Sequence, residues 1–174
     1  METKFDFSKV YYKVTNEQEC HNGYQYKDGL NILEEEFNDN PKASSGLGGF
    51  YFTNYKHLPG FFWMGTWIRE VTIPTDAMVV KDPEGDEWRT NKIILGNRYH
   101  INNDFDKWFD KEKFDWDYSD CLARYCSQYF AKWFDPQKFY WDYCLYLIDY
   151  CHSQFTRWKK EHPNLLQYVP EEYR

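Results

Sequence analysis

The residues best equipped to touch another molecule in this 174-residue chain are Trp88, Arg89 and Asn91, in the stretch "EWRTNKIILG". A guanidinium fork matches a carboxylate or phosphate edge, and the neighbouring indole offers a flat apolar wall. These three are the candidate binding residues. The same pair also suits a plainer purpose, the guanidinium stacked on the indole to close a turn. Metal chemistry finds less footing. His21, His57, His100, His152 and His162 show no H-x-x-x-H or H-E-x-x-H spacing. Cys121/Cys126 and Cys144/Cys151 are five and seven apart, and there is no C-x-x-C. Zinc sites use closer-set ligands, so no metal and no other cofactor is expected. Cysteines on helices read as small buried apolar groups.

A catalytic alternative rests on "GGFYFTN", "HNGYQY" and "IREV". A glycine-led aromatic strand after a first strand bearing a polar residue resembles the ADP-ribosyltransferase fold. That resemblance implies a first-strand Arg or His holding a dinucleotide, aromatics clamping the nicotinamide, and a late glutamate stabilising the ribosyl cation. Mapped onto this chain, Tyr51 and Tyr55 would stack and Glu70, or Glu87, would serve as the acid. The first strand offers Lys13 in place of Arg or His, and neither glutamate sits in a Q-x-E or E-x-E triplet. The "SSGLGG" stretch (residues 44–49) lacks the G-K-[ST] of a phosphate loop and reads as a flexible linker. "EEE" at residues 34–36 reads as a solvated face.

Composition narrows the partners. The net charge is −7, with 11 basic against 15 acidic groups in residues 1–103 and 10 against 13 in residues 104–174. Neither half carries the clustered cations that displace counterions from a nucleic acid. "RWKK" (residues 157–160) reads as the cationic end of a helix. No run approaches the ~18 apolar residues of a membrane span. A charged start without an apolar core and five cysteines, an odd number, point to a reducing compartment rather than secretion. The expected partner is a protein.

The elements that must position these residues fall into two regions. In residues 1–103, "KVYYKVT", "GGFYFTN", "WIREVTIP", "DAMVVKD" and "NKIILGNRYHI" read as strands. "GLNILEEEF" and "YKHLPGFF" read as short helices or loops, the latter broken at Pro59-Gly60, and "DPEGDEW" reads as a turn. Residues 104–174 write one aromatic phrase twice, "KWFDKEKFDWDY" and "KWFDPQKFYWDY", at an offset of 25. The step carries Phe105 to Phe130 to Phe155 and Cys126 to Cys151, and a third copy begins at "FTRW". Such repetition marks supersecondary units stacked on each other. Each unit should hold one long helix (119–133, then 144–158) and one short turn begun by Asp135-Pro136. At 22% aromatic, the core must be built from rings. The expected class is α+β: a small, mainly antiparallel sheet domain (1–103) followed by short helical repeats (104–174) packed against it.

The repeat phrase resembles aromatic W-[WF]-D-P-[EQ]-K-[FY] repeats of a protein family of giant DNA viruses, mimivirus- and marseillevirus-type. The first copy departs from it, with Lys111 where the proline would sit. "YQYKDGLNIL", "GGFYFTN", "IREVTIPTDAMVVKD" and "EWRTNKIILG", in that order, resemble an N-terminal module of the same viral groups, where it is often joined to ankyrin or other repeats. The resemblance spans about residues 9–158. It implies viral origin and architecture; with the reducing compartment read from the cysteines, the expected place is the infected host cell's cytoplasm or nucleus, or the virion. The reading overall is a non-enzymatic protein-interaction module engaging a viral or host protein, with the NAD-binding transferase as its alternative.

Overall fold

The computed structural model describes residues 5–43, 47–83 and 85–174. Part of the expected linker, residues 44–46, and Glu84 of the expected turn lie outside the described residues. The chain divides into two compact units, Met1–Asp104 and Phe105–Arg174.

The first unit is built on an antiparallel sheet of seven strands among the described residues, so the class is α+β. Its strands are β1 (Tyr11–Thr15), β4 (Gly29–Ile32), β5 (Phe50–Thr53), β6 (Trp67–Thr72), β7 (Val79–Lys81), β8 (Glu87–Thr90) and β9 (Lys92–His100). They lie in the order β4-β9-β6-β1-β5-β8-β7. A separate hairpin joins β2 (Cys20–His21) to β3 (Tyr24–Gln25). Strand alternation puts Phe50 and Phe52 on one face of β5 and Tyr51 and Thr53 on the other. The first face closes over Tyr11, Tyr26, Val71, Ile73, Ile93 and Leu95. Each such side chain contributes about 1.5–3 kcal/mol on full burial, and rings from Phe5, Tyr11, Phe52 and Trp88 interlock within it.

Two segments depart from expectation. "GLNILEEEF" opens as β4, an edge strand on β9, not a helix. Its polarity runs backwards: Asn31 is buried while Leu30 and Ile32 are exposed. The Asn31 amide donates to the carbonyls of Lys27 and Gly29, and its oxygen accepts from Lys27 N–H. The buried position is thus a turn-maker, which hides the strand's period. "YKHLPGFF" is likewise unbroken at Pro59-Gly60. A 3-10 helix, Leu58–Met64, runs through it with Pro59 in the first turn, where proline's missing N–H and fixed φ cost nothing.

The second unit holds α1 (Phe105–Trp108), α2 (Ser119–Tyr125), α3 (Phe130–Trp133) and α4 (Cys144–Glu161). The period of 25 is visible in its geometry. Phe105 meets Trp108 at 5.2 Å and Phe109 at 4.8 Å; Phe130 meets Trp133 at 5.4 Å and Phe134 at 4.5 Å. Asp110 and Asp135 each cap a single turn, accepting from the backbone N–H two residues on. The helix expected over residues 119–133 is interrupted. Cys126 leaves helical geometry (φ −127°, ψ 26°), and its carbonyl accepts from Trp133 Nε1 at 3.0 Å. The break recurs one period later at Cys151 (φ −124°, ψ 19°) inside α4.

Trp133 is wholly buried, and its loss removes both a large apolar volume and the donor to the Cys126 carbonyl. Trp133→Ala should lower unfolding free energy by about 3–5 kcal/mol in urea titrations. An unchanged midpoint would mean that the ring is not a core residue.

Candidate functional site

Of the predicted binding residues, Arg89 is buried while Trp88 and Asn91 are half-buried. Trp88 belongs to the first unit's core cluster, stacked on Phe52 with centroids 6.0 Å apart. Arg89, its neighbour on β8, projects to the opposite face and is fully buried. Its Nε donates to Asn38 O (2.8 Å), Nη2 to Asn40 O (2.7 Å), and Nη1 to Ala43 O (2.9 Å) and Tyr51 Oη (3.3 Å). The guanidinium therefore neither reads a partner from a surface nor stacks on Trp88; it gathers the carbonyls of residues 38–43. Asn91 ties the start of β9 to its surroundings, accepting from Met78 N–H and, through its own carbonyl, from Leu33 N–H.

The transferase residues are each engaged within the fold. Tyr51 lies under Arg89, and Tyr55 packs edge-on against Tyr12. Glu70, on β6, accepts from Tyr99 Oη (3.0 Å) and Asn97 Nδ2 (2.8 Å). The ionisable pair that does converge is Lys13 with Glu87. β1 shares five residue pairs with β6 but meets β5 through Tyr12 and Thr53. Lys13 fills the opening beyond that pair and donates to Tyr51 O at 2.9 Å. Burial pulls its amine down to about 8, with Glu87 opposing. Burial and then the Asp82 charge push Glu87 up to about 7, with Lys13 and Arg89 opposing. Perturbed pairs of this kind mark candidate sites. The cavity they line, with Tyr12, Phe61 and Met64, measures about 20 Å³, which is room for one water.

A larger cleft of about 290 Å³ opens nearby. The hairpin supplies one wall through His21, Asn22, Gly23 and Tyr24, and Leu33, Glu34 and Glu35 supply another. Tyr26, Gly49 and Phe50 also line it. Asn22 and Gly23 take positive φ (51° and 80°), the geometry of a two-residue hairpin turn. That "NG" signal was available in "HNGYQY". The hairpin's approach is clamped by the buried Arg69 of "IREV", which pairs with Asp28 and lies 3.2 Å from Glu19. Arg98 holds the other oxygen of Glu19, also at 3.2 Å. Across the cleft, Gly49 is obligatory: a Cβ there would stand 2.2 Å from Arg89 Cγ. "HNGYQY" and "GGFYFTN" thus meet at this cleft, and "IREV" reaches the segments flanking the hairpin through Arg69. The ring contacts Tyr24–Tyr26 (5.2 Å) and Tyr24–Phe50 (4.7 Å) build its apolar side. Burial, then the charge of Lys13, holds His21 below its ordinary value.

Glu87 gives the site a measurable signature. Its folded pKa lies above the unfolded value of 4.5, so the native state retains a proton that the unfolded state releases between pH 4.5 and about 7. The stabilisation is present below that window and is lost as pH rises through it. Glu87→Gln should therefore gain on the parent by about 1–2 kcal/mol across the window, after discounting for the solvent reaching this half-buried group. Paired urea titrations at pH 4.5 and 7.5 check this. A difference independent of pH would place Glu87 in water.

No family model matches the chain, and no solved structure matches it. Relatives occur among the proteins of Acanthamoeba polyphaga mimivirus. The ankyrin repeat protein R868 is 48% identical over 92 residues, 51% of this chain and 46% of R868. The ankyrin repeat protein R229 is 31% identical over 115 residues, 58% of this chain and 37% of R229. This chain thus spans less than half of either. The uncharacterized protein R869 is 43% identical over 104 residues, 58% of this chain and 73% of R869. With that identity across nearly three quarters of R869, the chain belongs to the same mimivirus protein family.

Proposed function

We propose that this chain is a binding module rather than an enzyme, engaging a viral or host protein in the infected cell or in the virion. The observation that carries the proposal is an open apolar face on the first turns of α4. Leu145 is 60% exposed, Tyr150 42% and Ile148 37%. Beside them Tyr143, Tyr146 and Tyr150 form a row with centroids 6.0 and 6.2 Å apart. The repeat gives this face its meaning. Ile148 stands one period after Ala123, which is wholly buried, with Cys151 Sγ of α4 at 3.5 Å from its carbonyl. The position that α2 turns toward α4 is the one that α4 presents to solvent.

Stacked repeats grow by covering such faces, and contiguous exposed apolar patches mark interaction sites. Two relatives carry ankyrin repeats in their names, a class of unit whose commonest use is protein recognition. Among the described residues no helix is long and apolar enough to cross a membrane. The net charge of −7 disfavours nucleic acid as the partner.

Leu145→Lys combined with Ile148→Lys should leave helicity and melting unchanged, since both side chains already face solvent. Proteins captured from infected-cell lysate by the parent should be reduced at least about tenfold on the double variant, as expected when charges enter the centre of an interface. Retention of the same proteins by a folded double variant would remove this face from the function.

A further inference from the structure

The cleft beside the β2–β3 hairpin is a built feature that the α4 face leaves unexplained, and it belongs wholly to the first unit. Its volume of about 290 Å³ lies at the lower edge of the ~300–1,000 Å³ of ligand sites and exceeds the needs of a trapped water. Its apolar side is aromatic: Tyr26 and Phe50 are buried, and Tyr24 is half-buried against both. Two exposed acidic residues, Glu34 and Glu35, line the cleft as well. Glu34 is close enough to Tyr24 for its charge to help raise the phenol's pKa, after burial. His21 is held below its ordinary value by burial and then by the charge of Lys13, which disfavours its charged form.

We infer that this cleft takes the arginine side chain of a basic segment of a protein partner. Rings with a carboxylate opposite satisfy both faces of a guanidinium: the plane lies on the π surface and the edge donates to the oxygens. An anion would meet Glu34 and Glu35, which disfavours phosphate-bearing ligands. One ring already carries a cation from this chain, because Lys13 Nζ lies 5.0 Å from the Tyr26 centroid. That ammonium is committed to Tyr51 O, and Arg89 behind Gly49 is committed to the carbonyls of Asn38, Asn40 and Ala43, whereas Glu34 and Glu35 stand exposed at the rim. Tyr24 is then the ring that an incoming guanidinium meets. The walls are rigid where recognition needs them to be: Arg69 clamps the hairpin's approach, and Arg89 packs against Gly49. The inference stands independently of the α4 face, since it concerns other residues and a different probe.

The test is a nitrogen-15 NMR titration of the full chain with a capped peptide of alternating glycine and arginine, and with its citrulline counterpart, which keeps the shape and loses the charge. The arginine peptide should shift the amides of Asn22, Gly23, Glu34, Glu35 and Gly49, and the citrulline peptide should not. Glu34→Gln with Glu35→Gln should weaken binding by at least about tenfold. Glu171→Gln with Glu172→Gln removes the same charge from the second unit and should change it less than about twofold. Tyr24→Leu should weaken it several-fold while preserving the apolar wall. Equal losses in the two glutamine pairs would reduce the effect to general attraction toward an acidic protein. Shifts scattered over the surface, binding of the citrulline peptide, or no binding at millimolar peptide would each overturn the assignment. Because Glu34 and Glu35 are exposed, their variants fold and keep the test decisive even if Tyr24→Leu does not.

Discussion

The first unit depends on a buried guanidinium. A charge taken out of water costs several kcal/mol unless hydrogen bonds replace its hydration, and Arg89 finds that replacement in the backbone of residues 38–43 and the hydroxyl of Tyr51. The dependence is mutual. Backbone carbonyls outside regular structure need donors as much as Arg89 needs acceptors, so a segment without helix or strand is held in place by one side chain from β8. The arrangement also dictates sequence nearby. Arg89 passes so close to residue 49 that only glycine fits. Gly48, at φ +92°, takes a left-handed turn against the backbone of Glu36 and Asn38. The doubled glycine before β5 is therefore a packing requirement, not slack, and it delivers Phe50 to the core and to the cleft in one step.

In the second unit the equivalent role falls to rings and to one recurring break. Tryptophan is expensive to bury unless its N–H finds an acceptor. Trp133 takes the carbonyl of Cys126, where the chain has left helical geometry. Interrupting the helix after α2 thus frees an acceptor and re-aims α3, so that Phe130 and Trp133 enter the same core. The small buried thiols at the two breaks fit this reading. Burial raises Cys151 to about 12, so it stays a neutral, apolar spacer at cellular pH.

How much of this could be read in the residues follows from the range of the interactions. The repeat was legible because a period of 25 compares the chain with itself, and β1, β5, β6 and β9 were legible because β-branched and aromatic residues cluster there. β4 was not, since its buried residue is an asparagine serving a local turn and its apolar residues face water. The burial of Arg89 is not legible either, for a different reason. Its acceptors are backbone carbonyls 46 to 51 residues earlier, and carbonyls have no letter in a sequence. The site shows the same division. "HNGYQY", "GGFYFTN" and "IREV" could each be singled out by composition, but the first two meet at the cleft only in the fold, and the third reaches the hairpin's flank through Arg69, which joins residues 41 apart.

The opening between β1 and β5 shows how the sheet turns a liability into a fixed point. Where two strands part, carbonyls lose their ladder partners and must find other donors. Lys13 supplies one to Tyr51 O from the first strand itself, at the cost of burying an ammonium. An apolar residue would avoid that cost but would leave the carbonyl short of a donor, the more damaging outcome in a low-dielectric interior. Glu87 then offsets part of the lysine's charge, and its own ionisation becomes harder because it too is buried. The pair is thus a consequence of the sheet's parting at its central strand. Its perturbed protonation follows from structure, without any reaction having to be assigned to it.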